Sequence, residues 1–146
     1  MNDIKVIRFD NLHDIELPHV FECGQCFRWN ECEDGSYIGV AGGHAAHVSL
    51  EHEGDSCSLI IECTGGSEKY WHSYFDLDTD YGAMKKALLA GEPKLAKSID
   101  VCHGIRILNQ DYWEVLISFI VSQNNNIPRI KKCIESLAKN YGTEIG

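Results

Sequence analysis

Three consecutive asparagines, Asn124, Asn125 and Asn126, carry the side chains of this 146-residue chain that best suit contact with a nucleic acid. Amides both donate and accept hydrogen bonds, so they suit the edges of unpaired bases. A helix predicted to begin directly after them would offer free backbone N–H groups to a phosphate, and Arg129, Lys131 and Lys132 would add charge in its first turns. The alternative is a capped turn between two helices, since Asn126 is a good N-cap residue. One cap, however, accounts for only one asparagine.

A second group of reactive side chains lies in residues 21–29, FECGQCFRW. Cys23 and Cys26 form a C-x-x-C pair, which in isolation suggests zinc or redox chemistry. No second pair follows at a finger-like spacing, and His44 and His47, three residues apart, are expected on opposite faces of a strand. The sequence therefore predicts no metal site and no cofactor.

Cysteine content and hydropathy indicate the compartment. The seven cysteines are an odd number and no export signal precedes them, which favours reduced thiols over a disulfide framework. Cys57, Cys63 and Cys133 lie among apolar residues and are expected in the core. The N-terminus lacks the apolar region of a signal peptide, and no run reaches the roughly 18 apolar residues that a membrane span needs. We therefore expect a cytoplasmic protein with no membrane contact.

The charge of the chain is unevenly distributed. The net charge is −9, which argues against nonspecific nucleic-acid binding, where basic surfaces supply most of the affinity. Residues 1–73 contain 4 Lys and Arg against 13 Asp and Glu, whereas residues 74–146 contain 9 of each. Any anionic partner is therefore expected to meet the second half of the chain.

The first sixty or so residues have the pattern of an antiparallel sheet. Short segments rich in β-forming residues alternate with turn signals such as EDGS, AGGH and EHEGD. Ala46, Val48 and Leu50 alternate with His47 and Ser49, as in a half-buried strand. The predicted strands are IKVIRFD, QCFRWNEC, SYIGVA, HAAHVSLE and SCSLIIEC.

From about residue 67 the apolar period changes to that of helices. Three helices are predicted in residues 67–100, and Asp111 is expected to cap a fourth helix that is apolar on all sides through Val121 and therefore buried on several sides. The last helix, from Ile127 to a stop at Gly142, has one apolar stripe. Since only one earlier helix is an obvious partner for that stripe, the helical part looks incomplete.

Two separated motifs carry a resemblance to a known family. GIRILNQDYWEVLISFIVSQNNNIPRI resembles the start of the helix-hairpin-helix domain of 8-oxoguanine DNA glycosylases, and FECGQCFRW with the strands after it resembles that family's N-terminal sheet domain. The resemblance covers essentially the whole chain. It implies an α+β fold, with a TBP-like antiparallel sheet and helices over residues 1–110 and the first helices of a truncated helical domain over residues 111–146.

The resemblance also implies roles for particular residues. Asn124 would fill the space left by the flipped base and touch the estranged cytosine, Asn125 and Asn126 would shape the turn and the pocket wall, and Arg129 would read the cytosine. The Gly24 carbonyl would accept the N7–H that only the oxidised guanine has. Phe27 would line the same pocket, although an aromatic residue on a strand is also typical of a core. Gln25, Arg28 and Trp29 are interpreted as structural.

The family's catalytic groups have no counterpart in residues 1–146. The resemblance assigns catalysis to a lysine after an LPGVG-type hairpin and to a later aspartate, so no catalytic residue is predicted in this chain, which is expected to be inactive alone. The expected partner of the complete glycosylase and AP lyase is double-stranded DNA containing oxidised guanine opposite cytosine, with no obligate protein partner. The alternatives are an alkylated-base glycosylase of the same superfamily and a non-catalytic acidic α+β interaction module.

Overall fold

The computed structural model describes residues 4–145, which form one five-stranded antiparallel sheet and a set of helices. The strand order across the sheet is β1-β5-β4-β3-β2, and every neighbouring pair is antiparallel. An α+β fold, as predicted, is confirmed. The strands are β1 Lys5–Leu12, β2 Trp29–Glu31, β3 Tyr37–Ala41, β4 His44–Glu53 and β5 Ser56–Cys63.

Six α-helices and one short 3-10 helix accompany the sheet, and all but the first follow it in the chain. Within the described residues, no helix is both long enough and apolar enough to cross a membrane. The helices are α1 Leu17–Phe21, α2 Glu68–Tyr74, α3 Tyr81–Gly91, the 3-10 helix Pro93–Leu95, α4 Ala96–Val101, α5 Tyr112–Ser122 and α6 Ile127–Tyr141.

One face of the sheet and the helices α1 and α2 enclose the main core. The alternation predicted for β4 is confirmed, because Ala46 and Val48 are buried while His47 between them is only half-buried. Aromatic residues fill the layer: the Phe21 ring stacks on Trp29 with centroids 4.5 Å apart, and the Trp29 indole N–H donates to the Tyr74 hydroxyl at 2.9 Å. Trp29 is thus a core residue, as predicted, and its polar atom is satisfied.

The predicted strand over residues 25–32 is largely a loop. Only Trp29–Glu31 pairs with β3, whereas residues 22–28 leave the sheet. Gly24 has a φ of +86°, which is incompatible with a strand, and the Gln25 side chain bonds to distant backbone. The helix α1, which was not predicted, fills the sequence before this loop. We call residues 22–28 the pinned loop.

Helices α5 and α6 begin where the sequence predicts but are less buried than expected. Asp111 caps α5 by accepting hydrogen bonds from the Trp113 and Glu114 backbone N–H groups, each at 3.0 Å. The prediction that α5 is buried on several sides is wrong for the described residues, because Ser118 is its only buried residue and Trp113 is 69% exposed. Cys133 on α6 is also exposed, not in the core, whereas Cys57 and Cys63 are buried as predicted.

Arg106 attaches the segment before α5 to the sheet domain. Its guanidinium is buried and donates hydrogen bonds to the backbone carbonyls of His13, Asp14 and Asp76 at 3.0, 3.2 and 2.8 Å. Burial lowers the pKa of this arginine, while the ring of Tyr81 stacks below it, 4.6 Å from Cζ. Because three carbonyls share one buried cation, residues 105–110 have a fixed path across the domain.

Candidate nucleic-acid interface

The three asparagines between α5 and α6 do not share one role. The Asn126 side chain caps α6 by accepting a hydrogen bond from the Arg129 backbone N–H at 3.2 Å, as predicted. The Asn125 side chain donates to the Val121 carbonyl at 3.0 Å and so closes the end of α5. These two amides satisfy helix ends that would otherwise leave backbone groups unpaired. They shape the turn.

Asn124 is the asparagine left free for a ligand. Its φ is +51°, in the left-handed region that asparagine tolerates better than most residues. The residue is exposed, and its side chain forms no hydrogen bond with any of residues 4–145. An exposed amide at the apex of a turn, held by two bonded neighbours, can donate and accept without first breaking an internal contact.

Two cations that follow the turn behave differently. The Arg129 residue is exposed, and its guanidinium has no ion pair within the described part of the chain. Lys131, by contrast, donates to the Trp29 carbonyl at 3.0 Å and approaches the Glu22 carboxylate at 3.5 Å. Lys131 therefore fixes α6 to β2 and to the start of the pinned loop. Its expected role as added positive charge for a phosphate stays a prediction.

Gly24 occupies an open position in the pinned loop. A Cβ added to Gly24 would meet no atom within 4 Å, so the site has free space on that side. The φ of +86° is nevertheless one that residues with a side chain adopt only with strain. Glycine is therefore required by the backbone conformation, and the space beside it is available to a ligand.

Gln25 holds that loop against the segment before α5 through both ends of its amide. The Nε2 group donates to the carbonyls of Val20 and Arg106, each at 2.8 Å, and Oε1 accepts from the Leu108 N–H at 2.9 Å. The Gln25 carbonyl in turn accepts from the Gln110 side chain at 2.7 Å. The two sequence motifs that carried the resemblance are thus joined by direct hydrogen bonds. Gln25 is structural, as interpreted, and it positions Gly24.

Phe27 fixes the other end of the loop to α6. Its side chain is 9% exposed and packs with Ile130 and Ile134 in a small core separate from the main one, against Val121 at the end of α5. The core alternative for Phe27 therefore has direct support. Its proposed contact with a flipped base stays a prediction.

The cysteine pair of the loop lacks the environment of a reactive site. Cys23 is exposed and Cys26 is buried, and both are free thiols. Burial raises the pKa of Cys26 well above that of an ordinary thiol, so the thiolate needed for metal binding or redox exchange is disfavoured. Cys26 is a small core residue near the Phe21 carbonyl.

Glu114 is a half-buried ionisable group beside the loop. It shares a groove with Arg28 and Asp111, next to the apolar side chains of α5 and α6. Burial raises the pKa of the Glu114 carboxyl, and the charge of Asp111 acts in the same direction while Arg28 opposes it. The groove therefore places a carboxyl with a raised pKa beside an arginine.

The sheet, the pinned loop and the two joined helices have the arrangement found in DNA glycosylases of solved structure. The chain belongs to the family described as 8-oxoguanine DNA glycosylase, N-terminal domain, whose model matches residues 7–116. The resemblance seen in the two motifs is thereby confirmed.

Characterised relatives are longer than this chain. It is 30% identical over 146 residues to an N-glycosylase/DNA lyase of Saccharomyces cerevisiae, and 26% identical over 136 residues to the N-glycosylase/DNA lyase OGG1 of Arabidopsis thaliana. These matches cover 92% and 91% of the chain but only 39% and 37% of the respective relatives. The chain therefore spans less than half the length of these two proteins.

Solved structures of glycosylases also match this chain over about half of their own length, and at higher sequence identity. A protein named MBOgg1, solved with a low-affinity DNA ligand, is 46% identical with a TM-score of 0.86. The 8-oxoguanine glycosylase/lyase of Clostridium acetobutylicum matches with 41% identity and a TM-score of 0.84 in its apo form. In complex with double-stranded DNA containing cytosine opposite 8-oxoG, it matches with 39% identity and a TM-score of 0.82. These matches cover 99–100% of the chain and 50–51% of the solved chains.

We predict that Gln25→Ala destabilises the domain by about 2 kcal/mol, because it leaves two carbonyls and one N–H without their partners in a part-buried position. Urea unfolding gives the free energy, and hydrogen exchange of the Leu108 amide reports the local loosening.

The control is Gln123→Ala, since Gln123 is exposed and its side chain makes one hydrogen bond, to the Phe119 carbonyl at 3.2 Å. This variant is expected to stay within about 0.5 kcal/mol of the parent. Equal stability of the two variants would show that the Gln25 bonds do not hold the loop.

Proposed function

We propose that this chain is the N-terminal part of a DNA N-glycosylase and AP lyase that removes 8-oxoguanine opposite cytosine. In this proposal the chain contributes the contacts that recognise the lesion and the orphan base, and the reacting groups come from residues outside 1–146. The observation that carries it is the state of Gly24 and Asn124: both are exposed on conformationally fixed turns and neither is used for packing.

The contact with the orphan cytosine is assigned to Asn124 and Arg129. The Asn124 amide is free, and Asn125 and Asn126 use their own side chains to hold its backbone conformation. A guanidinium can donate two hydrogen bonds to the acceptor edge of cytosine, whereas other bases opposite the lesion present a different pattern. Arg129 has no competing ion pair within residues 4–145 that would have to break first.

Lesion recognition is assigned to the Gly24 carbonyl. Oxidised guanine carries a hydrogen on N7, and normal guanine has a lone pair there that repels a carbonyl oxygen. Leaving a buried acceptor unpaired costs about 1–3 kcal/mol, which corresponds to roughly 5- to 150-fold discrimination. Gly24 has free space beside it, so a base can approach the backbone closely.

Two lysines of this chain are engaged in structural contacts, which supports the assignment of chemistry to other residues. Lys131 bonds to the Trp29 carbonyl, and Lys85 bonds to the Asp14 carboxylate and the His103 carbonyl. A lysine that attacks the sugar must be a free amine close to the reacting carbon. These two lysines are instead occupied by contacts that hold helices in place.

We predict that this chain alone yields no excised base and no borohydride-trapped adduct with a duplex that contains 8-oxoguanine opposite cytosine. The measurement is a gel assay with the complete protein as the positive control. A covalent adduct formed by the 146-residue chain would place a nucleophile within it and refute the assignment. Excision of methylated purines but not 8-oxoguanine by the complete protein would favour an alkylated-base glycosylase.

We predict that Gly24→Ala in the complete protein lowers kcat/KM for 8-oxoguanine by at least about tenfold, because the carbonyl is displaced by the strain of a positive φ. Gly43→Ala is the matched control, since Gly43 has a φ of +79° and equally open surroundings. Both variants should lose similar stability. Equal loss of activity in both would mean that strain alone is responsible and would remove Gly24 from the site.

We predict that Arg129→Ala in the complete protein relaxes the preference for cytosine opposite the lesion by at least about tenfold, because the charged hydrogen bonds to cytosine are lost. Excision rates are compared on duplexes with each of the four opposite bases. Lys139→Ala, near the far end of α6, is the control for general loss of positive charge. An unchanged base preference in the arginine variant would exclude Arg129 from orphan-base reading.

A further inference from the structure

The side chains of Cys32, Asp34 and His47 bring a thiol, a carboxylate and an imidazole together beside the turn that joins β2 to β3. One ligand atom from each lies within 4.8 Å of the other two. Among residues 4–145 this is the only group of three His, Cys, Asp or Glu side chains that lie so close to one another. None of the three belongs to the pinned loop or to the asparagine turn.

The chain builds this cluster from one turn and one strand. After β2 the backbone turns through residues 32–36: the Gly35 N–H donates to the Cys32 carbonyl at 3.1 Å, and the Cys32 N–H donates to the Ser36 carbonyl at 2.8 Å. Gly35 permits the turn with a φ of +81°. Since Ile38 on β3 pairs with His47 on β4, the register places the imidazole beside the turn.

Hydrogen bonds orient two of the three groups before any ion binds. The buried Ser36 hydroxyl donates to the Asp34 carboxylate at 2.5 Å and lies 2.7 Å from Nε2 of His47. The Ser36 backbone N–H also donates to the Asp34 carboxylate at 3.1 Å. The Glu62 carboxylate, opposite His47 on β5, lies 4.0 Å from Nδ1. A carboxylate behind a histidine is the usual outer support of a metal ligand.

We propose that Cys32, Asp34 and His47 bind one divalent cation of the zinc class. Tetrahedral zinc with sulfur, nitrogen and oxygen ligands at their usual bond lengths separates the ligand atoms by roughly 3.3–3.6 Å, and side-chain rotations can close the difference from 4.8 Å. Thiolate and imidazole select zinc over magnesium and calcium, which prefer oxygen ligands.

Metal binding exchanges one set of bonds in the cluster for another. The Cys32 thiol loses its proton to solvent, the His47 contact with Ser36 is replaced by a bond to the metal, and water takes the fourth position. The ion would join the turn after the edge strand β2 to β4, two strands away from it in the sheet. Because this arrangement exists only in the folded chain, bound metal raises the unfolding midpoint.

Titration of the reduced 146-residue chain with Co²⁺ and Zn²⁺ tests the site. We expect one equivalent of Co²⁺ to produce the near-ultraviolet charge-transfer absorption of a cobalt–thiolate bond, and Zn²⁺ to displace it. Cys32→Ser should remove this absorption, and His47→Gln should weaken Zn²⁺ binding at least tenfold. Cys133→Ser, which alters an exposed thiol on α6, is the control and should behave as the parent.

Three outcomes overturn the proposal. The first is a charge-transfer absorption retained in Cys32→Ser. The second is its loss in Cys23→Ser or Cys26→Ser with Cys32 intact, which would assign the metal to the C-x-x-C pair. The third is the absence of saturable binding in the parent. Thermal unfolding provides an independent measurement, because a Zn²⁺-dependent rise in midpoint is expected for the parent and the Cys133 variant but not for Cys32→Ser.

Discussion

The hydrogen bonds of Gln25 are the constraint on which the position of the pinned loop relative to α5 and α6 depends. Within residues 4–145, the loop 22–28 pairs with no strand, and hydrogen bonds of the Gln25 side chain and carbonyl connect it to the segment that leads into α5. An amide suits this position because it donates twice and accepts once in a single plane. Without it, the open conformation of Gly24 would have no fixed relation to the helices that carry the asparagine turn.

The buried cation and the second core complete this framework. Arg106 fixes the segment before α5 because its guanidinium donates hydrogen bonds to three backbone carbonyls. Its own carbonyl accepts a hydrogen bond from the Gln25 side chain. On the other side, Phe27 and Lys131 attach the loop to α6, one by packing and one through the Trp29 carbonyl. The loop is therefore held at both ends by α5, α6 and the segment before them. Flexibility is thereby removed from the positions to which the proposed function assigns base recognition.

Much of this arrangement could be predicted from local sequence. The alternation in β4, the caps at Asp111 and Asn126 and the two family motifs depend on neighbours within a few residues, and each is confirmed. The pinned loop could not be predicted in this way. Its β-forming composition favours a strand, and the bonds that override that preference join residues more than 80 positions apart.

Other features that the sequence did not predict also depend on contacts between residues far apart in the chain. Lys131 looks solvated in the sequence because its partner, a carbonyl on β2, lies 102 residues away. The Cys32, Asp34 and His47 group depends on strand register, which no short spacing reveals. Helix α5 is apolar on all sides, yet within the described residues most of its surface is exposed. A hydrophobic pattern predicts that a surface will be covered, but it does not identify what covers it.

In the proposed function, the residues that give specificity for a base are different from those that give electrostatic affinity for DNA. Residues 1–73 carry a net charge of −9, and the groups proposed to read the bases are one carbonyl, one amide and one guanidinium. Two of these groups are neutral, and contacts to base edges contribute little of the salt-dependent affinity for DNA, which comes from neutralised phosphates. A protein built on this chain must therefore obtain most of its DNA affinity from other residues. The fixed geometry around Gln25 then acts on a duplex that is already bound.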